Sequence, residues 1–210
     1  MQQVDLFDQS LNALLGAKTY DEFASGLRAY DCRRCTLCAS RTRIVVDRGN
    51  PRASVMIISE RPGDNEDREG RAFVGRSGAL LDRILGSIGL DPDADTLITN
   101  IVKCKPESDR PPTSDEAMAC LPFLEKQIEL VRPRVVLLLG QVALKWVDPT
   151  RRDFKMEDEA GRLFTLSRHP NVQFMVLYHP AFLLRDPRKK RPTWQHVQTL
   201  KTWLEENTPS

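Results

Sequence analysis

Four apolar runs stand out along the chain: "SVMIIS" at 54–59, "TLITNIV" at 96–102, "RVVLLLG" at 134–140 and "QFMVLY" at 173–178. They are nearly continuous rather than alternating and rich in β-branched residues, as expected of strands buried on both faces. Between them the spacing becomes helical. "SGALLDRILGSIGL", Ser77 to Leu90, predicts one helix; "TSDE", Thr113 to Glu116, is a capping box opening a second that reaches Val131, with Pro122 expected to break or kink it. Strand alternating with helix predicts an α/β fold, a single domain whose mostly parallel central sheet is flanked by helices on both faces. Residues 1–30 also read as helical, with Leu11, Leu14 and Leu15 on one side of a turn and a capping box from Thr19 to Glu22. We expect an N-terminal helical extension over 1–30 and the main domain over 31–210.

In open α/β sheets ligands bind beyond the carboxyl ends of the strands. There the chain places Glu60 after the first run, Asn100 near the end of the second, Gly140 at the end of the third and His179 after the fourth. Any one of these reads most simply as a cap or a hydrogen-bonded loop residue; their common rim points to a site. Glu60, in "SERPGDNED", could orient water or stabilise a developing cation, with Pro62-Gly63 forcing a turn and Asp64 adding a carboxylate. Asn100 offers the donor and acceptor needed to read the edge of a base. Phe73 lies between Gly70 and Gly75, which suits an exposed ring on which a planar ligand stacks, although it reads equally as core. His179 could donate a hydrogen bond to an oxygen that becomes anionic. After it, "HPAFLLRDPRKKR" presents Phe182, Leu183 and Leu184 ahead of five basic residues in seven, either a wedge entering a duplex or the first turn of a core helix.

Composition narrows the setting. The 210 residues are 40% hydrophobic with a formal net charge of only +2, so the chain carries no strong global field. Its basic residues nevertheless cluster at Arg33-Arg34, Arg41 and Arg43, Arg151-Arg152 and Arg185 to Arg191, which makes a polyanion partner plausible. "MQQVDLFDQS" lacks a basic stretch leading into an apolar one, and no run approaches a membrane span, so a cytoplasmic protein without membrane contact is expected. In a reducing compartment the five cysteines, Cys32, Cys35, Cys38, Cys104 and Cys120, make an improbable disulfide framework. Cys32 and Cys35 have the C-x-x-C spacing shared by zinc sites, redox pairs and chance.

"SERPGDNEDREGRAFVGRSGALLDRIL", "TNIVKCKP" and "HPAFLLR", with C-x-x-C upstream and a cysteine after "VKCKP", resemble the family 4 uracil-DNA glycosylases from about Asp31 to Leu204. The resemblance implies a three-layer α/β/α glycosylase fold and a monofunctional enzyme that excises uracil from DNA in base-excision repair. It implies a 4Fe-4S cluster on Cys32, Cys35, Cys104 and Cys120, with zinc as a minor alternative and Cys38 left over as a buried thiol or a substitute ligand. Phe73 would stack on an extruded uracil, Asn100 would pair with its polar edge, and His179 would stabilise charge on O2. Glu60, with Arg61, Asp64 and the following turn, would hold the base and the attacking water. Leu183, Leu184 and Arg185 would fill the gap in the stack, and Lys103 would meet phosphate or solvent. The partner would be uracil-containing DNA, met by a monomer.

Three positions depart from the family's pattern: Ser59 where glycine is usual, Arg61 where a small residue is usual, and Ala181 in place of a serine. A relative that binds uracil or another deaminated base without cutting is the alternative reading. The basic, histidine-bearing insertion of a covalently trapping branch is absent from "CKPESDRPPTSDEAMAC", and the surface is the expected place of His169 and His196. A flavodoxin-like nucleotide or redox protein is disfavoured, since no Gly-rich phosphate loop follows any strand.

Overall fold

A computed structural model describes residues 6–151 and 153–207, which leaves Arg152 of the Arg151-Arg152 pair and the extreme termini outside the described residues. The chain runs α1 (Leu6–Leu15), α2 (Tyr20–Ala29), β1 (Arg48–Gly49), β2 (Val55–Ser59), α3 (Asp64–Glu69), α4 (Arg76–Gly86), β3 (Thr96–Asn100), α5 (Ser114–Val131), β4 (Val135–Leu139), α6 (Gly140–Val147), α7 (Met156–Glu159), β5 (Leu163–Leu166), β6 (His169–Leu177), α8 (Pro180–Arg185) and α9 (Lys190–Asn207). The strands form one sheet in the order β1-β3-β2-β4-β6-β5. The four inner strands are parallel, and they are the four apolar runs.

Each inner strand alternates between two cores. Met56 and Ile58 of β2, Val136 and Leu138 of β4 and Phe174 and Val176 of β6 pack under α1, α2, α5 and α6; Ile57, Leu137 and Met175 face α4 and α9. Burial on both sides explains why these strands read as continuous apolar runs, and each fully buried aliphatic side chain contributes about 1.5–3 kcal/mol. The edges are antiparallel: β1 on β3, and β5 on β6 with a register shift between Thr165 and Leu166. Neither was expected, since β1 is two residues long and β5 is only partly buried.

The helix starts follow their caps. Thr19 and Glu22 form the expected capping box of α2, and Thr113 and Glu116 that of α5. Pro122 does not break α5, an 18-residue helix that runs through it. One lost backbone bond is outweighed by the burial of Phe123, Leu124 and Ile128 on the next turns. Phe23 and Leu27 of α2 join the same core as β2 and α5, alongside Cys32, Cys104 and Cys120. Among the described residues no helix is long and apolar enough to cross a membrane.

Candidate active site

From β2 the chain passes to β3 on one side and later to β4 on the other, so the strand order reverses between β2 and β4. At the carboxyl ends of these strands lies a cleft of about 1060 Å³, the place where open α/β sheets take their ligands. Glu60, Arg61, Asp64, Phe73, Asn100, Gly140, His179 and Arg185 all line it.

Asn100 ends β3, opposite Ser59 in the β2 register, and is 1% exposed. Its Oδ1 is buried without a hydrogen-bond partner among the described residues. Such an orphan acceptor costs about 1–3 kcal/mol, a cost that a ligand donor would relieve. Phe73 is not the exposed ring expected from its glycines: it is 6% exposed and stands beside His179, with ring centroids 6.0 Å apart. Its backbone has φ +52°, an uncommon left-handed conformation held by two neighbours. Arg48 Nη1 donates to Phe73 O at 2.9 Å while its guanidinium is fixed by Asp82 and Asp93 at 3.0 Å each. On the other side α4 presses so close that a Cβ on Gly78 would lie 1.9 Å from the same oxygen. Thus the ring is part of a rigid wall.

Glu66, overlooked in the sequence as one more carboxylate of "DNED", joins the two loops of this wall. Its Oε2 accepts from Gly63 N at 3.1 Å, and its Oε1 accepts from Val74 N and Gly75 N at 2.9 Å each. The spacing from Gly63 to Glu66 is that of a capping box lacking only the hydroxyl, and this signal could have revealed it. Asp67 likewise accepts from Thr42 N at 2.9 Å and anchors the segment after the cysteines. Glu60 is half-buried, and burial raises its pKa against the opposing pull of Arg61, whose Nε lies 4.0 Å away. The Arg61 guanidinium turns outward, donating to Asp109 Oδ1 at 2.9 Å and to Asp109 O at 2.5 Å. Asp64 is exposed and paired with Lys105 at 2.9 Å, so it sits on the outer lip of the cleft.

His179 is the N-cap of α8, a structural duty not foreseen. Its Nδ1 accepts the N–H of Ala181 at 3.0 Å, which puts the proton of the neutral ring on Nε2; that Nε2–H donates to Ser59 Oγ at 2.9 Å. Burial first, then the charges of Arg61 and Arg185, push the pKa of His179 down to about 4. Gly140, at φ +87°, opens α6 directly against the ring, where a Cβ would meet His179 Cβ at 3.3 Å. The ring is therefore a neutral donor at neutral pH. Since the unfolded histidine binds a proton near pH 6.5 and the folded one only near 4, stability is full above pH 6.5. It is expected to fall by up to about 3 kcal/mol as pH drops through that interval. Melting curves of the parent and His179→Asn, which can still cap α8, check this: the parent should lose more stability than the variant between pH 6.5 and pH 4.

The expected wedge is only partly available. Leu183 is 1% exposed and packs with Leu80 and Tyr178, because α8 turns this residue inward as a short core helix. Leu184 is half-buried and Arg185 exposed. Phe182 lines the cleft mouth and stacks on Tyr178 at 5.7 Å. The other histidines are not simple surface residues. His169 begins β6 and meets Glu125 Oε2 at 3.0 Å, and His196 is half-buried against Tyr178.

Cys32, Cys35, Cys104 and Cys120 line a second, apolar cleft between α2, α5 and the segment after β3, walled by Leu27, Val102 and Phe123; Cys38 does not line it. Among the described residues no group of three or more His, Cys, Asp or Glu side chains is placed to hold a metal ion. Burial and mutual repulsion push Cys104 up to about 12 and Cys120 up to about 11, a cost that bound iron would remove. Lys103 N donates to Cys120 Sγ at 3.3 Å, and Arg41 Nη1 approaches Cys104 Sγ at 3.8 Å. Four thiols along one apolar cleft are the donor set that an iron–sulfur cluster or a zinc ion takes. Lys103 does not reach phosphate or solvent: it is 1% exposed, and its Nζ donates to Thr99 Oγ1 at 2.7 Å and Asn100 O at 2.6 Å. Two acceptors at its own strand end hold the ammonium inward, although burial pulls its pKa down to about 8.

The family model described as the uracil DNA glycosylase superfamily matches residues 46–201. The type-4 uracil-DNA glycosylase of Saccharolobus solfataricus is 38% identical over 178 residues, covering 82% of this chain and 82% of that protein. That of Pyrobaculum aerophilum is 38% identical over 161 residues, 75% of this chain and 81% of its own. That of Sulfurisphaera tokodaii is 35% identical over 164 residues, 76% and 74%.

Proposed function

The chain belongs to the uracil-DNA glycosylase superfamily, and we infer that its cleft excises uracil from DNA by hydrolysing the N-glycosidic bond. It is an enzyme of DNA repair. The observation that carries the reading is the buried Oδ1 of Asn100, without a partner among the described residues, in the cleft that Phe73 also lines. Uracil brings a donor there in its N3–H; cytosine has none at N3 and leaves the acceptor orphaned, a large penalty for the wrong base.

The extruded base lies against Phe73 with N3–H on Asn100. His179 donates Nε2–H to O2 as the C1′–N1 bond breaks and its electron pair passes to the departing uracil. The sugar gains oxocarbenium character. Glu60 holds water below C1′ and receives one of its protons as oxygen bonds to the sugar, and the departing uracil anion takes a proton at N1 from solvent, leaving an abasic site and free uracil. Asp64 and Arg61 frame the turn at the cleft lip. Arg185, with Lys190 and Arg191, meets phosphate, while Leu184 and Phe182 face the disturbed stack. A glycosylase domain over 31–210 with an extension over 1–30, acting as a cytoplasmic monomer, completes the proposal.

The resemblance to family 4 implies a 4Fe-4S cluster, and Cys32, Cys35, Cys104 and Cys120 would hold it. These residues would let it tie the segment before β1 and the segment after β3 to α5, and it would supply no chemistry at the sugar. Anaerobically purified protein is expected to be brown with broad absorbance near roughly 400 nm, and iron chelation should lower its melting temperature. Colourless, zinc-loaded protein of equal stability would rule out the cluster. The activity is tested with an end-labelled oligonucleotide carrying one uracil, treated with alkali after incubation. Cleavage at that position, absent from a thymine control, is expected; intact strands in both single- and double-stranded form would overturn the reading.

A further inference from the structure

Ser59 is the last residue of β2, 0% exposed, and stands behind the cleft wall rather than in it. Its Oγ is 2.9 Å from His179 Nε2. Because Ala181 N–H occupies Nδ1 at 3.0 Å, the only proton the neutral ring can donate is the one that Ser59 already accepts. Burial keeps the ring neutral, so no second N–H is available. The proposed chemistry requires that same proton at uracil O2. With glycine at this position the donor would lose the acceptor it has among the described residues and would wait for the base.

We propose that Ser59 is a positioning residue whose hydroxyl stands in for uracil O2 on His179 Nε2–H in the empty site and reclaims that bond when the base leaves. This rests on reading the cleft as a uracil-excision site. As charge grows on O2 the proton turns to the base, because a bond to an anionic acceptor is roughly twice as strong as one to a hydroxyl. After departure the neutral product again competes with an acceptor held at bonding distance. Ser59 therefore opposes retention of free uracil. The bond between Ile101 N and Ser59 O, at 2.8 Å, together with the β2–β3 pairing of Ser59 with Asn100, holds the hydroxyl in place.

The test is inhibition of excision by free uracil, measured for the parent protein and for Ser59→Ala, Ser59→Gly and Ser59→Thr. Loss of the internal acceptor in the alanine and glycine variants is expected to lower the inhibition constant at least about threefold, the worth of one modest hydrogen bond. Ser59→Thr keeps the hydroxyl and should retain the parent's value. Damage to the fold alone would weaken uracil binding, so tightening separates the two roles, and either small variant suffices if the other does not fold. An unchanged or raised constant in the alanine and glycine variants, or equal tightening in the threonine variant, overturns the proposal. A parent protein that excises no uracil would instead overturn the functional reading on which it rests.

Discussion

Replacing His179 with alanine is expected to slow uracil excision by about 10²–10³ in single-turnover rate, the usual cost of removing one preorganised oxyanion donor. The ring is placed by three constraints: the Ala181 N–H on Nδ1, Ser59 on Nε2 and the close approach of Gly140. A neutral imidazole gives its proton direction without an ionic ground-state attraction, so its effect concentrates where charge develops on the leaving base. His179→Ala also removes the cap of α8, which costs about 1 kcal/mol of stability. His179→Asn can restore that cap, but its shorter side chain cannot reach O2. Both variants should therefore be slow while only the first is less stable. A rate within tenfold of the parent in either, measured with saturating enzyme on a uracil oligonucleotide, would remove His179 from the reaction.

Asn100→Ala is expected to separate activity from stability. Excision should fall by about a hundredfold or more in kcat/KM, since the base's N3–H and its polar edge would be buried unpaired at about 1–3 kcal/mol each. The melting temperature should stay level or rise, because the substitution deletes an acceptor that has no partner among the described residues. Lys103 bonds the backbone oxygen of Asn100, which alanine retains. Paired excision and melting measurements decide the matter: a large loss of stability would mean that Oδ1 serves the fold and not the base.

The inner sheet was legible because parallel strands buried on both faces leave unbroken apolar runs, and the rim residues followed from strand ends alone. Edges were not. β5 carries a half-buried pattern and β1 is too short to have one. The wall of the cleft was legible in composition but not in role: Phe73 is set by Arg48, 25 residues away, and by a glycine in α4, neither of which periodicity connects to it. "FLLR" reads alike as wedge and as helix, and which leucine faces inward depends on the packing of Tyr178 and Leu80. The charge of Lys103 points to the surface, whereas two acceptors at its own strand end hold it inside. The cysteine set came from resemblance, since C-x-x-C alone leaves the partners of Cys32 and Cys35 undetermined.

Delivery of Glu60, Asn100, Gly140 and His179 by the ends of four different strands also bears on how the chain acquires its native state. Ser59 and His179 meet across 120 residues, and loop closure over such separations must precede any reward from the contact. No early hairpin or helical intermediate can contain the complete rim, because β6 must dock on β4 before His179 arrives. Recovery of excision after dilution from denaturant should therefore trail the recovery of helical circular dichroism. Catalysis would serve as a clock for the final closure of the sheet.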